Sequence, residues 1–375
     1  MAEQCDQDHE RDLHSEVPPA SLQKLDWWIT SGHPLDELHD LVVPERQADR
    51  GSPVNPEIGK SGHHLPYNRD TQELKQYTWA HHEEWNRRRL RELKTEGIYK
   101  DLRKLNVLVQ LSTVGICLKM KYEVNGEEVA LDYSQTNGVP YTPLRFRLAG
   151  ERDPDDDWAA VDLSRALPSR PEKLCMGETS YEVKMADGID EGLKLQREGL
   201  NPVLVIMTDI EQPGGGYRHG ALGVEEEVFR RTDYCFSVDE DLMVQLKDPN
   251  AKPKNALYPK GSFGAIYSKQ VVFRHGADQG YQLMPETAVL PLIAVGAGRR
   301  EEAREREPLT QAERLELFKK LLLVCEVAMR GGHRELVLAP PRGGPLPDPA
   351  PDVAAVFRAA LSCFHGCFDR VVLAA

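Results

Sequence analysis

The chain has 375 residues, enough for two average domains or for one domain with a long extension. Hydrophobic residues make up 40%, below the usual globular share, so part of the chain is expected to carry no core. The balance of 47 basic against 60 acidic residues, net −13, argues against a general nucleic-acid binder, which needs a basic face. It leaves room for one anionic ligand held by backbone N–H groups.

Seven cysteines are widely spaced, with no CxxC pair, no zinc spacing and no disulfide framework. A reduced compartment, cytoplasmic or nuclear, is expected. Met1 to Glu16 is polar and acidic, unlike a signal peptide, and no apolar run approaches the ~20 residues of a membrane helix.

Residues 1–68 are rich in Pro, His and Gly without sustained periodicity, and read as a largely disordered extension. Within them Leu22 to Ile29, with the pair Trp27-Trp28, either docks on the core as a short amphipathic helix or serves as a partner motif. Residues 69–172 read as an accessory region of helix and strands. Thr71 to about Lys104 is predicted helical, with Trp79, Trp85, Leu90 and Leu93 on one side. The basic run Arg87-Arg88-Arg89-Leu90-Arg91 could meet a polyanion. Glu83, Glu84, Glu92 and Glu96 surround it and favour a solvated helix face. Val107–Leu111 and Ile116–Tyr122 read as strands, and Asn125-Gly126 as a hairpin turn before Glu128–Leu131. The aspartates from Asp153 to Asp157 lack the ordered spacing and turn glycine of a calcium loop and read as a solvated loop.

Residues 173–375 alternate helix and strand. Gly188–Glu198, a helix from about Glu225, Leu309–Arg330 and Pro351–His365 are predicted helices. Pro202–Thr208, Thr287–Val295, Glu335–Ala339 and Val371–Ala374 are predicted strands, and Tyr258–Arg274 is predicted as loop plus strand with Val271-Val272-Phe273 as its apolar core. This order implies a layered α/β domain.

The segment that bears chemistry follows the apolar run Val203-Leu204-Val205-Ile206-Met207. It reads Gln212-Pro213-Gly214-Gly215-Gly216-Tyr217-Arg218-His219-Gly220-Ala221-Leu222-Gly223-Val224-Glu225-Glu226-Glu227. Consecutive glycines let a backbone approach a ligand, and their N–H groups can converge on phosphate oxygens beside a helix N-terminus. The same glycines also suit a tight structural turn. The spacing is neither a P-loop nor GxGxxG. Adjacent carboxylates repel one another, and one that keeps its proton near neutrality is what glycosidic bond cleavage needs. The alternative is a helix N-terminus carrying acids that its dipole favours.

The run from Pro213 to Arg230 resembles the signature of the microbial-type poly(ADP-ribose) glycohydrolases. There a Pro-Gly-Gly-Gly loop is followed by Gly-Ala and by a Gln-Glu-Glu triplet that opens a helix. Gly214-Gly215-Gly216, Gly220-Ala221 and Glu225-Glu226 fall in register. The resemblance implies Glu226 as the catalytic carboxylate and Glu225 as its helper at the terminal ribose. Thr95-Glu96-Gly97-Ile98-Tyr99, Glu178-Thr179-Ser180, Tyr258-Pro259, Gly264–Tyr267 and the tail from Leu336 keep the family's order. The implied fold is macrodomain-like, a mixed sheet sandwiched between helices.

The chain also departs from that pattern. Val224 stands where the family has Gln. Asp209 stands where an Asn-containing run is usual; it can accept hydrogen bonds from a ribose but places a negative charge near a diphosphate. The second ligand loop corresponds to Ala339–Asp348, where prolines replace glycines and remove N–H donors. In it Leu346 takes the place of a positioning Phe. Arg342 either restores a phosphate contact beside Gly343 and Gly344 or faces solvent.

The resemblance therefore implies hydrolysis of ribosyl O-glycosidic bonds in poly(ADP-ribose) or an ADP-ribosylated protein. The altered loop leaves open a reader module that binds ADP-ribose without turnover, and an interaction scaffold stands third. Neither cofactor nor metal is implied, nor are a membrane or sequence-specific nucleic acid as partners, and a monomer is expected.

Overall fold

The computed structural model describes residues 106–374, less 107–108, 111, 118, 135–139, 152–157, 164–176, 218–219, 240–256, 259, 298–307 and 340–350. The extension 1–68, the helix predicted for 71–104, the basic run at Arg87–Arg91, the aspartates Asp153–Asp157, and Arg342, Gly343, Gly344 and Leu346 lie outside the described residues.

The described chain begins with a helix, α1, at the described positions of 106–119. A hairpin follows, β1 (Lys121–Val124) and β2 (Glu127–Ala130). Its turn residues Asn125 and Gly126 have φ of 54° and 82°, the pair of positive values that an Asn-Gly type I′ turn requires. Then come β3 (Leu144–Leu148), β4 (Ala159–Val161), β5 (Ser180–Lys184), α2 (Gly188–Arg197) and β6 (Pro202–Thr208). They are followed by α3 (Val224–Arg231), α4 (Tyr234–Val238), β7 (Gly264–Arg274) and β8 (Leu283–Gly296). The chain closes with α5 (Gln311–Arg330), β9 (Glu335–Ala339), α6 (Pro351–Ser362) and β10 (Arg370–Ala374).

Eight strands form one mixed sheet in the order β4-β3-β7-β8-β6-β9-β10-β5. From β8 to β5 the pairs are parallel; β7 runs antiparallel to both β8 and β3. The expected α/β sandwich is therefore what forms. Central β6 is buried at every position, which explains its unbroken apolar sequence. Leu204 and Ile206 face a core shared with α2, α3 and α4, while Val203, Val205 and Met207 face one shared with α5 and α6. The helix α5 starts with Thr310 and Glu313 in a reciprocal capping box. The expected division at 172/173 runs between β4 and β5, and β3 and β4 share the sheet with the later strands.

The strand-like reading of Val107–Leu111 and of Ile116 onward is corrected: the described positions up to 119 are helical, and strand begins only at Lys121. An apolar run without alternation suits a buried strand and an all-round buried helix equally. Here Asn106, Val109, Gln110, Ser112, Thr113, Val114, Ile116 and Cys117 are all buried. Arg274 of β7, itself fully buried, holds this helix to the sheet. Its Nη2 donates to Ser112 Oγ at 2.7 Å, its Nε to Thr113 Oγ1 at 3.1 Å and its Nη1 to the Tyr281 carbonyl at 2.9 Å. Arg274→Ala is expected to lower the unfolding free energy by about 3 kcal/mol, because charge-assisted bonds are lost and their buried partners left unmet. Urea denaturation followed by circular dichroism measures it, and an unchanged midpoint would contradict the role given to Arg274.

Candidate active site

The parallel strand β6 delivers the chain to a turn that Asp209 organises. Asp209 Oδ1 accepts from the N–H groups of Glu211 and Gln212 at 2.7 and 2.9 Å. The glycine loop then coils tightly, with Gly215 N–H on the Gln212 carbonyl at 3.2 Å and Tyr217 N–H on the Gly214 carbonyl at 2.9 Å. Gly214 has φ of +74°, and a Cβ there would lie 2.3 Å from the Tyr217 ring, so both conformation and space require glycine. Buried Tyr217 anchors the loop by donating to Asp239 Oδ2 at 2.6 Å.

α3 begins at Val224, one residue before the predicted start, behind an extended Gly223 that offers no side-chain cap. Acids fill its first turn and Arg230 and Arg231 its last, both matching the helix dipole. Successive residues on a helix diverge by ~100°, so the three glutamates point to different surroundings. Glu225 turns inward and is buried: Oε2 accepts from Asp209 N–H at 2.8 Å, Oε1 from Gly214 N–H at 2.9 Å and from Tyr258 Oη at 3.4 Å. Half-buried Glu226 lies along the loop, with Oε1 accepting from Gly216 N–H at 3.1 Å. Glu227 turns to the far side and accepts from Tyr281 Oη and from Arg230 Nη2, the latter at 3.0 Å.

The expected site residues Asp209, Gly214, Gly215, Gly216, Glu225 and Glu226 are thus brought together. The three glycine N–H groups are engaged within the chain, two of them by the glutamates themselves.

The raised proton affinity resides on Glu225. Burial pushes it up, to about 7; buried Lys260 and the Asp209 N–H pull it down, while Glu226 pushes it up and the Gly214 N–H pulls it down. Burial likewise pushes Lys260 down, to about 8, against the pull of Glu225 and Asp209.

Several neighbours went unread in the sequence. A Cβ on Gly223 would lie 2.2 Å from Glu226 Oε2, so this glycine makes room for the carboxylate; its position just before the predicted helix was a usable signal. Arg230 Nη1 donates to the Ala221 carbonyl at 2.9 Å and Asn106 Nδ2 to the Gly220 carbonyl at 3.0 Å, which holds the returning limb of the loop. Tyr258 and Lys260, also buried, come from the segment before β7. Lys260 and Asn106 carry no local signal at all. Among the described residues no group of three His, Cys, Asp or Glu is arranged to hold a metal ion, and no helix is long and apolar enough to cross a membrane.

A mixed sheet between helices, with a glycine loop and a glutamate-led helix at the end of its central strand, defines a macrodomain-like fold. Residues 111–275 match the family model described as microbial-type PARG, catalytic domain. Among solved structures, the poly(ADP-ribose) glycohydrolase from Thermomonospora curvata is 21% identical with a TM-score of 0.52. The match covers 72% of this chain and 92% of that one. The same enzyme bound to the inhibitor ADP-HPD matches at 21% identity and a TM-score of 0.51, over the same shares. The enzyme from Deinococcus radiodurans in complex with ADP-ribose matches at 24% identity and a TM-score of 0.47, covering 62% of this chain and 86% of that one. No curated protein sequence matches significantly.

The buried Glu225 has a stability signature. Its pKa is raised on folding, so its contribution is fully present below the ordinary carboxylate value and is lost as pH climbs through about 7. Relative to Glu225→Gln, the wild type is expected to lose roughly 3 kcal/mol of unfolding free energy between about pH 4.5 and pH 8. Asp233, also pushed up to about 7 by burial, is common to both proteins and cancels. Paired urea titrations across this range provide the check, and a pH-independent difference would place Glu225 in water.

Proposed function

We propose that this chain hydrolyses ribosyl O-glycosidic bonds in poly(ADP-ribose) or a related ADP-ribosyl conjugate and releases ADP-ribose. The observation that carries this reading is the half-buried Glu226 carboxylate seated along the glycine loop at Gly216, with its second oxygen beside Gly223. The matched catalytic-domain family supports it.

In this reading the diphosphate lies against Gly214, Gly215 and Gly216, exchanging for their present partners, and against the loop of Arg342, Gly343, Gly344 and Leu346. Asp209 accepts from a ribose hydroxyl. Glu226 gives a proton or a strong hydrogen bond to the leaving oxygen as oxocarbenium character develops, and water attacks the anomeric carbon. Glu225 is the helper: Oε1 is filled by the Gly214 N–H and the Tyr258 hydroxyl, while Oε2 holds one N–H and keeps a lone pair for the terminal ribose. No cofactor takes part. The protein acts as a monomer in the cytoplasm or nucleus.

A reader of ADP-ribose is the second reading. It is favoured by Val224 in the first helical turn and by the prolines at 340, 341, 345 and 347. One experiment separates the two. Purified protein is incubated with auto-modified, poly(ADP-ribosyl)ated substrate beside Glu226→Gln, and free ADP-ribose is quantified. Release is expected from the wild type, with a loss of at least about 100-fold in the variant, the usual scale for removing a general acid. Calorimetric binding of ADP-ribose without release would establish the reader instead.

A further inference from the structure

We propose that Lys260 is a positioning residue: a buried cation beneath the glycine loop that orients Glu225 through the Tyr258 hydroxyl and offsets the negative charge that Asp209 and Glu225 present to a diphosphate. The part concerning diphosphate rests on the function proposed above.

Lys260 is fully buried, and an ammonium group is kept out of water only where neighbours compensate for its lost hydration. Its Nζ donates to Tyr258 Oη at 2.7 Å and lies 4.1 Å from the centroid of the same ring. An ammonium can only donate, so the tyrosine oxygen is the acceptor and its own hydrogen is left to point onward. The onward acceptor is Glu225 Oε1, at 3.4 Å. A directed chain therefore runs from Lys260 through Tyr258 to Glu225.

The backbone fixes the lysine in place. Lys260 N–H donates to the Ile210 carbonyl at 3.0 Å, one residue from Asp209, and Arg147 Nη2 donates to the Lys260 carbonyl at 3.3 Å. The carboxylates that favour its charged form are Glu225 and Asp209.

Among the described residues, the other cations near α3 make their hydrogen bonds and ion pairs elsewhere. Arg230 serves Glu227 and the Ala221 carbonyl; Arg231 serves Asp187 and Asp190. Arg147 stacks on Trp158, 4.6 Å from its ring centroid. Around Glu225, the titratable groups are Glu226 on its own helix, Tyr234 on α4, and Tyr258 and Lys260 before β7. Among the described residues, Lys260 is the cation that acts on Glu225, whereas Arg230 reaches Glu226 and Glu227.

The test uses the full chain and two readouts. The first needs no ligand: the Glu225 carboxyl titration is followed by 13C NMR in the wild type and in Lys260→Met. Loss of the cation is expected to raise the Glu225 midpoint by about one pH unit or more. An unchanged midpoint overturns the proposal. Should Lys260→Met fail to fold by circular dichroism, Tyr258→Phe cuts the same chain while keeping the ring, and its Glu225 midpoint decides in the same way.

The second readout is ADP-ribose affinity by calorimetry. Lys260→Met is expected to weaken binding at least about tenfold, and Asp209→Asn added to it to recover most of the loss. Asn keeps the Oδ1 acceptor that organises the turn, so recovery reports charge rather than packing. Weakened binding that Asp209→Asn leaves unrepaired overturns the charge offset. If the wild type itself fails to bind ADP-ribose, the functional reading falls, and the ligand-independent titration still decides the role of Lys260.

Discussion

The Glu225 carboxylate bridging Asp209 N–H and Gly214 N–H is the contact on which the rest of the site depends. It ties the end of the central strand, the start of the glycine loop and the first turn of α3 into one unit. Burying a carboxylate costs several kcal/mol. Here two backbone donors, a tyrosine hydroxyl and the nearby Lys260 offset part of that cost, each charge-assisted bond contributing on the order of 1.5–3 kcal/mol, and burial still leaves the carboxyl raised to about 7. The helix therefore cannot slide along the loop without exposing an unpaired buried charge. Glu226, one residue further on, inherits its placement from this lock.

The returning limb of the loop is held from a different quarter. Asn106 binds the Gly220 carbonyl, and Thr113 Oγ1 donates to the Arg230 carbonyl at 2.6 Å, so α1 supports both the loop and the helix after it. Arg274 then joins α1 to β7 through Ser112 and Thr113.

Legibility in the sequence followed the range of the interactions. Asn125-Gly126 was readable because its turn is decided by two adjacent backbones. The strand β6 was readable because a strand buried on both faces has no polar alternation. The glycine loop and the glutamates after it were readable as one segment, since Gly214 and Glu225 are neighbours in the chain as well as in space. The helix at the described positions of 106–119 was misread because burial on every side erases the periodicity that separates helix from strand. Lys260, Tyr258 and Asn106 reach the loop across large separations in sequence, and a solitary lysine or asparagine gives no hint of where it will be buried. Predicted helices in the second half came out within a few residues, because each packs one apolar face against the sheet.

The run of three glutamates looks from the sequence like one repelling cluster. The helix resolves it by pointing the side chains apart, and each finds a different fate. Glu227 is taken up by Tyr281 and by Arg230 in an i,i+3 ion pair. Glu225 is spent on backbone N–H groups in the interior. Glu226 has an oxygen, Oε2, that accepts no hydrogen bond among the described residues, and Gly223 leaves open the space in front of it; Glu227 also has an unpartnered oxygen, but that one is buried. That contrast is what favours Glu226 as the substrate-facing carboxylate in the function proposed above. Glu225 and Glu227 are each bound by partners that Glu226 does not share.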